Sequence, residues 1–213
     1  MSWRVHRATG SASAFHARDL PDPVERAVHV LAVDRPALVL GSAQRDDVVD
    51  LDACAAAGVE VVRRRSGGGA VLLVPGETAW VDVELPRGDE LWHDDVGRAT
   101  WWLGERWAAA VGGVVHRGAL ERGRWGGLVC FAGLGPGEVT TAAGAKVVGI
   151  SQRRTRAGAR FQCAVPLRWD PAALADLLAL DDDRRYDLVR DLGPAVEPPA
   201  VDDVVGAFLD QLR

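Results

Sequence analysis

Hydrophobic positions along the chain change period several times, and the changes divide it into strands and helices. Residues 2–8 read as a short strand. Asp22-Pro23-Val24-Glu25 has the composition of a helix start, with Asp22 as cap, Pro23 in the first turn and Glu25 three residues after the cap. A helix is predicted from there to about Asp34, stopping before Pro36. Ala37-Leu38-Val39-Leu40 is an apolar strand ending at Gly41, residues 46–57 are helical and close at Gly58, and Val59 to Val62 is a β-branched strand. A strand pair follows, over roughly 70–74 and 78–85, joined by the turn-forming Pro75-Gly76-Glu77. From Trp80 to Leu85 the period is two, with the acids facing one way.

Residues 93–111 make the longest helix candidate, because Val96, Ala99, Leu103, Trp107 and Ala110 recur at helical spacing. Trp101 and Trp102 lie partly off that stripe and read more readily as core packing than as pocket lining. Strands are predicted near 114–117, 127–131, 138–142, 145–154 and 159–167. Three short helices follow near 171–179, 183–191 and 201–212, the last preceded by a stiff connector containing Pro194, Pro198 and Pro199. Hairpins mixed with helices, without a repeat or a clear linker, predict an α+β fold with a mixed, largely antiparallel sheet. The expectation is one catalytic-size domain over residues 1–213, with no C-terminal accessory domain.

Composition narrows the function classes. The net charge of −5 gives no general case for nucleic acid or an anionic membrane as partner. No apolar run approaches the roughly 20 residues that span a bilayer. The first residues, Met1 to Arg7, lack the apolar core of a secretory signal. Cys54, Cys130 and Cys163 are odd in number and far apart, which argues against a disulfide framework or a metal site and for a reducing cytoplasm. Of the 25 basic residues 24 are arginine and one, Lys146, is lysine (25 − 24 = 1). A compact ammonium differs from a planar guanidinium in what it can contact, so the one lysine is a candidate for chemistry, weighed against chance in an arginine-rich chain.

Two segments carry the candidate chemistry. In Arg63-Arg64-Arg65-Ser66-Gly67-Gly68-Gly69-Ala70-Val71, three glycines let the backbone turn and approach a ligand, and their N–H groups can converge on an anion beside the arginines. The plainer alternative is a glycine-rich hairpin flanked by solvated arginines. No Gly-Lys-Ser/Thr follows, so this is not a P-loop. In Gly144-Ala145-Lys146-Val147-Val148-Gly149-Ile150-Ser151, Lys146 opens a strand, and Gly149 inside it suggests a close approach by a backbone or a ligand. Alternatively Lys146 is a solvated edge lysine. Cys130, in an apolar stretch, is more often a buried small side chain than a nucleophile, and Cys54 and Cys163 more so. Gly133-x-Gly135-x-Gly137 contains Pro136 and precedes no helix, so it is rejected as a dinucleotide fingerprint. The histidines show no metal-ligand spacing.

Together these segments resemble the catalytic domain shared by lipoate–protein ligases, octanoyl transferases and biotin–protein ligases, and most resemble lipoate–protein ligase A. Arg63 to Val71 is similar to the family's Arg-Arg-x-Ser/Thr-Gly-Gly-Gly-Ala-Val motif, Gly144 to Arg153 to its glycine-then-lysine strand, and Leu40-Gly41-Ser42-Ala43-Gln44 to its early strand ending Gly-x-x-Gln. The resemblance spans roughly residues 1–180. It implies a fold related to class II aminoacyl-tRNA synthetases and biotin synthetases, and an acyl group held beside Lys146. It also implies ATP and lipoate, with Mg, as the reacting cofactors of a ligase that forms lipoyl-AMP. Arg64, Ser66, Gly67, Gly68, Gly69, Ala70, Val71 and Leu72, with Gly149 and Ser151, would hold the intermediate, and Lys146 would contact oxygens at the acyl–phosphate junction. The implied partners are lipoyl carrier domains of 2-oxoacid dehydrogenases or the glycine cleavage H protein, and an accessory ligase subunit.

The sequence departs from the ligases in three places. Val129-Cys130-Phe131 stands where many carry Gly-Arg-Asn-Asp, and is similar to one branch of octanoyl transferases in which a cysteine takes the acyl group as a thioester. Phe161-Gln162-Cys163 stands where many carry histidines, and with the sequence ending at Arg213 the small C-terminal domain of long ligases is expected to be missing. Alternatives therefore stay open: an octanoyl-carrier-protein-dependent transferase using Cys130, which needs no cofactor beyond its acyl donor, a biotin-type ligase, and a non-catalytic module or subunit that binds the lipoyl ligand.

Overall fold

The computed structural model describes residues 2–213. Its elements run β1 (Arg4–Gly10), α1 (Ala12–Ala17), β2 (Ala27–Val33), β3 (Ala37–Leu40), α2 (Leu51–Ala56), β4 (Glu60–Arg63), β5 (Val71–Leu73), β6 (Thr78–Pro86), α3 (Trp101–Val111), β7 (Val114–Val115), β8 (Val139–Thr140), β9 (Lys146–Arg154), β10 (Gly158–Pro166), α4 (Pro171–Ala175), α5 (Asp182–Leu192) and α6 (Val204–Asp210). Seven strands form one sheet in the order β1-β2-β6-β10-β9-β8-β7, and β4-β3-β5 form a second. Only β1–β2 and β3–β4 are parallel pairs, so the expected mixed, largely antiparallel α+β architecture holds.

Alternation along β6 separates two environments. Val81, Val83 and Leu85 face a core closed by α3 and α6, where Trp107 and Phe208 stack at 4.0 Å. Trp80 packs on the opposite side against Phe15, Val39 and Leu73, which brings the three-stranded sheet over the larger one. The far side of that small sheet, Leu38 and Leu40, is covered by the helical layer through Leu174, Leu178 and Leu188. Two sheets stacked this way leave a space between them, and the candidate site lies there.

Several predicted elements differ from the structure. Residues 27–33 are strand, not helix: β2 hydrogen-bonds β1 on one side and β6 on the other. The cap-like Asp22 to Glu25 is a local signal, and the β-branched Val28, Val30 and Val33 gain partners for their backbone on both edges. The predicted pair 70–74 and 78–85 divides between the sheets, with β5 on β3 and β6 between β2 and β10. The long helix starts only at Trp101; Asp95 accepts from the Arg98 amide in the preceding turn, and Val96 is exposed. Residues 46–57 divide into a 3-10 turn, Asp46–Val48, and α2. The predicted strand 127–131 is a turn keeping one bridge, Val129 to Ala70, and Cys130 opens a short 3-10 turn. Trp102 stacks on Trp3 and meets Phe161 edge-on, as core packing predicts.

Candidate active site

The triple-glycine loop is built on Arg64. Burial alternates through the arginine run, leaving Arg63 and Arg65 exposed and Arg64 buried. The Arg64 guanidinium donates to the carbonyls of Val39 (3.1 Å), Gly67 (2.8 Å) and Gly69 (2.8 Å). It therefore braces the loop from behind, and its own donors are engaged by backbone. Among the described residues no protein acceptor meets the amides of Gly67, Gly68 or Gly69, all three of which border a cleft. Free amides in succession at a cleft are donors that an anionic ligand can use.

The three glycines differ in how far their surroundings require them. Gly68 has φ +98°, and a Cβ there would lie 2.8 Å from the Arg64 guanidinium and 3.3 Å from Cys130 Sγ. A Cβ at Gly69 would lie 2.6 Å from the Val129 backbone. Around Gly67 the space is open. Gln44 fixes the neighbouring loop, accepting from the Gly41 amide and donating to the Leu128 carbonyl. Ala70 is buried and its backbone is tied to Leu128 and Cys130, while Leu72 packs in the helical layer; neither side chain reaches the site.

Lys146 is buried and its backbone is pinned by the 195–197 connector: its amide donates to Ala195, and the Glu197 amide donates to its carbonyl. Its ammonium meets three acceptors, Glu138 Oε2 at 2.6 Å, the Gly133 carbonyl at 2.9 Å and the Cys130 carbonyl at 3.2 Å, with the Phe131 ring centroid at 5.0 Å. Glu138, also buried, accepts from the Gly135 amide (2.6 Å) and the Ile150 amide (3.0 Å). Glu138 is not singled out by any motif, although a signal is present: between Arg124 and Arg153 the only carboxylate and the only cationic side chain are Glu138 and Lys146. The Gly133–Gly137 run, rejected as a dinucleotide fingerprint, supplies a carbonyl to Lys146 and an amide to Glu138. At Gly149 the neighbours are side chains and not the expected backbone: the Phe131 ring and the Lys146 stem lie 3.3 and 3.5 Å from where a Cβ would stand.

Two cavities meet here. One, about 470 Å³ including its mouth, lies between the sheets, walled by Val39, Val71, Leu73, Trp80 and Phe131. The other is the open cleft of about 1630 Å³ that borders the glycine loop, Glu138 and Lys146. Cys130, Ile150 and Ser151 border both. Polar groups join the walls: Ser66 Oγ lies 3.0 Å from Ser151 Oγ and donates to Gln162 Oε1 at 3.1 Å, and Gln162 Nε2 lies 3.3 Å from His16 Nδ1. Burial, with the charges of Arg64 and Arg160, pushes the His16 pKa down to about 4, so this ring is neutral at pH 7. Farther along the same face, burial pushes Asp82 up to about 6 despite Arg160 and Arg18 nearby.

The sequence from residue 14 to residue 212 matches the family model of the lipoyl protein ligase A/B catalytic domain, and the chain belongs to that family. It is an enzyme of the lipoate ligase or transferase type. No curated protein matches the chain. Among solved structures it is similar to a bi-partite lipoate protein ligase described with its E2 lipoyl domain from Thermoplasma acidophilum, at 16% identity, TM-score 0.74, over 99% of this chain and 82% of that one. A further T. acidophilum structure, of a protein described as a lipoate protein ligase and with bound lipoic acid, matches at 17% identity and TM-score 0.69 over 99% of this chain and 84% of that one. A lipoate-protein ligase A bound with ATP matches at 12% identity and TM-score 0.61 over 100% and 94%. At these identities the likeness is one of fold. Among the described residues no helix is long and apolar enough to cross a membrane.

Proposed function

We propose that the chain activates lipoate, or octanoate, with ATP and transfers the acyl group to a lysine of a lipoyl carrier domain. The observation that carries this reading is the set of unpaired amides of Gly67, Gly68 and Gly69 beside the Lys146 ammonium, at the mouth of an apolar pocket. An acyl-phosphate anhydride brings negative charge to that junction; a thioester does not. In the first step the acid's carboxylate attacks the α-phosphorus of ATP and pyrophosphate leaves. In the second, the carrier lysine's amine attacks the acyl carbon and AMP leaves with the bonding pair. Lys146 stabilises the charge that develops at the junction, with a substrate oxygen taking the place of its longest contact, the Cys130 carbonyl.

The neighbours with bound lipoic acid and bound ATP support this choice of reactants, and the one described with an E2 lipoyl domain supports the acceptor class. Within that class we infer 2-oxoacid dehydrogenase domains or the glycine cleavage H protein. The bi-partite neighbour is a reason to look for an accessory subunit. Among the described residues no group of three or more His, Cys, Asp or Glu stands where it could hold a metal ion. A Mg ion would depend on the nucleotide's phosphates, and no step is assigned to it.

One observation favours a second reading. Cys130 borders both cavities and its Sγ adjoins Arg64, which is where a thiolate would take an octanoyl group from a carrier-protein thioester. The mass of a lipoyl domain after incubation with the protein distinguishes the two. The ligase reading expects a lipoyl adduct only with ATP and lipoate, retained in Cys130→Ser. An octanoyl adduct formed without ATP and lost in Cys130→Ser would replace it with the transferase.

A further inference from the structure

The chain carries one lysine side chain, and it lies at the junction where the acyl group is activated. An activated acyl group that acylates lysines is thus held beside the protein's own lysine amine. Acylation of Lys146 would form an N–C bond to the acyl carbon, expel AMP with the bonding pair and release a proton from nitrogen. The nitrogen must first lose a proton to expose its lone pair.

We propose that Glu138 is a positioning residue that prevents this self-acylation. Its carboxylate holds the ammonium at 2.6 Å while two backbone amides, Gly135 and Ile150, fix the carboxylate itself. Deprotonating Lys146 would leave a buried carboxylate without its countercharge, which is strongly unfavourable. The pair is buried at both ends, so water cannot readily replace either partner. Removing the negative charge at residue 138 removes that penalty on exposing the nitrogen lone pair. The Gly133 carbonyl continues to hold the nitrogen at the junction.

This inference rests on the ligase reading for its natural acyl donor, so the test has an arm that does not. Native wild type, Glu138→Gln and Glu138→Asp are exposed to the N-hydroxysuccinimide ester of octanoate, and peptides containing Lys146 are quantified by mass spectrometry. Urea-unfolded wild type sets full modification, and circular dichroism checks that each variant is folded. Lys146 is expected to be at least tenfold more acylated in Glu138→Gln than in wild type, with Glu138→Asp close to wild type. Aspartate disturbs packing more than glutamine but keeps the charge, so it serves as the test if the glutamine variant fails to fold. Equal labelling of wild type and Glu138→Gln, or Glu138→Asp labelled as fully as unfolded protein, overturns the proposal. A second arm supplies ATP and lipoate. A Lys146 lipoyl adduct in Glu138→Gln extends the proposal to the natural donor; strong ester labelling with no adduct in this arm, in a variant whose Lys146 has lost its charge partner, leaves the role of Glu138 standing, and the ligase reading is then judged on wild type alone.

Discussion

At Lys146 a tetrahedral ammonium meets three acceptors within 3.2 Å, and an arginine there would have to fit a planar fork into the same space. Lys146→Arg is predicted to lower acyl transfer by at least about a hundredfold, the scale of losing one group that stabilises developing charge. A steady-state assay beside a thermal melt checks this; activity within a few-fold of wild type would remove Lys146 from the mechanism. The glycine loop gives a paired prediction. Gly68→Ala places a Cβ at positive φ and 2.8 Å from Arg64, so it is expected to cost about 1–3 kcal/mol of stability in urea denaturation. A Cβ at Gly67 meets nothing within 4 Å, so Gly67→Val is expected to leave the urea midpoint within experimental scatter. Its branched side chain beside the cleft should weaken ATP binding about tenfold or more, measured by calorimetry. The triplet was legible in sequence as a loop, but not the division of labour inside it, which depends on where Arg64, Val129 and Cys130 cross in space.

Strands with strong β-branched runs, such as Glu60–Arg63 and Lys146–Arg154, were readable from the chain alone, because their local preference and their tertiary role agree. Residues 27–33 were not, since the same valines fit a helical stripe and a strand, and only pairing with β1 and β6 decides. The turn around Cys130 was read as strand because its apolar side chains hid the crossing of two backbones at Gly69 and Val129. That crossing depends on Gln44, which ties the end of β3 to the Leu128 carbonyl. Gln44→Ala is predicted to destabilise the fold by about 1–2 kcal/mol, from the hydrogen bonds lost and the Gly41 amide left without its acceptor. It is also predicted to lower acyl transfer more than that loss of folded protein explains. Denaturation and turnover measured on one preparation separate the two effects.

Across the whole molecule, the space between the sheets puts His16 and Asp82 on one face with opposite responses to acid. The folded-state pKa of His16, about 4, lies below the ordinary 6.5, so the unfolded chain binds more protons between those values and stability from this group falls as pH drops from 6.5 to 4. The folded-state pKa of Asp82, about 6, lies above the ordinary 3.8, so the folded chain holds the extra proton and stability from this group falls as pH rises from 4 to 6. Replacing one exposes the other. Relative to wild type, His16→Gln should make stability decline more steeply from pH 4 to 6, and Asp82→Asn should make it climb, in urea midpoints taken across that range. Parallel profiles for the two variants would contradict the assigned pKa directions.

The same arrangement joins an apolar pocket to an anion-binding loop across Lys146, and the central claim is that an acyl-adenylate forms where they meet. Exchange of labelled pyrophosphate into ATP, with no lipoyl domain present, tests that claim most directly. Exchange is expected to require lipoate, to fall at least about a hundredfold in Lys146→Arg, and to persist in Cys130→Ser. No lipoate-dependent exchange in a folded protein that nonetheless acylates a lipoyl domain from an octanoyl thioester would contradict that claim.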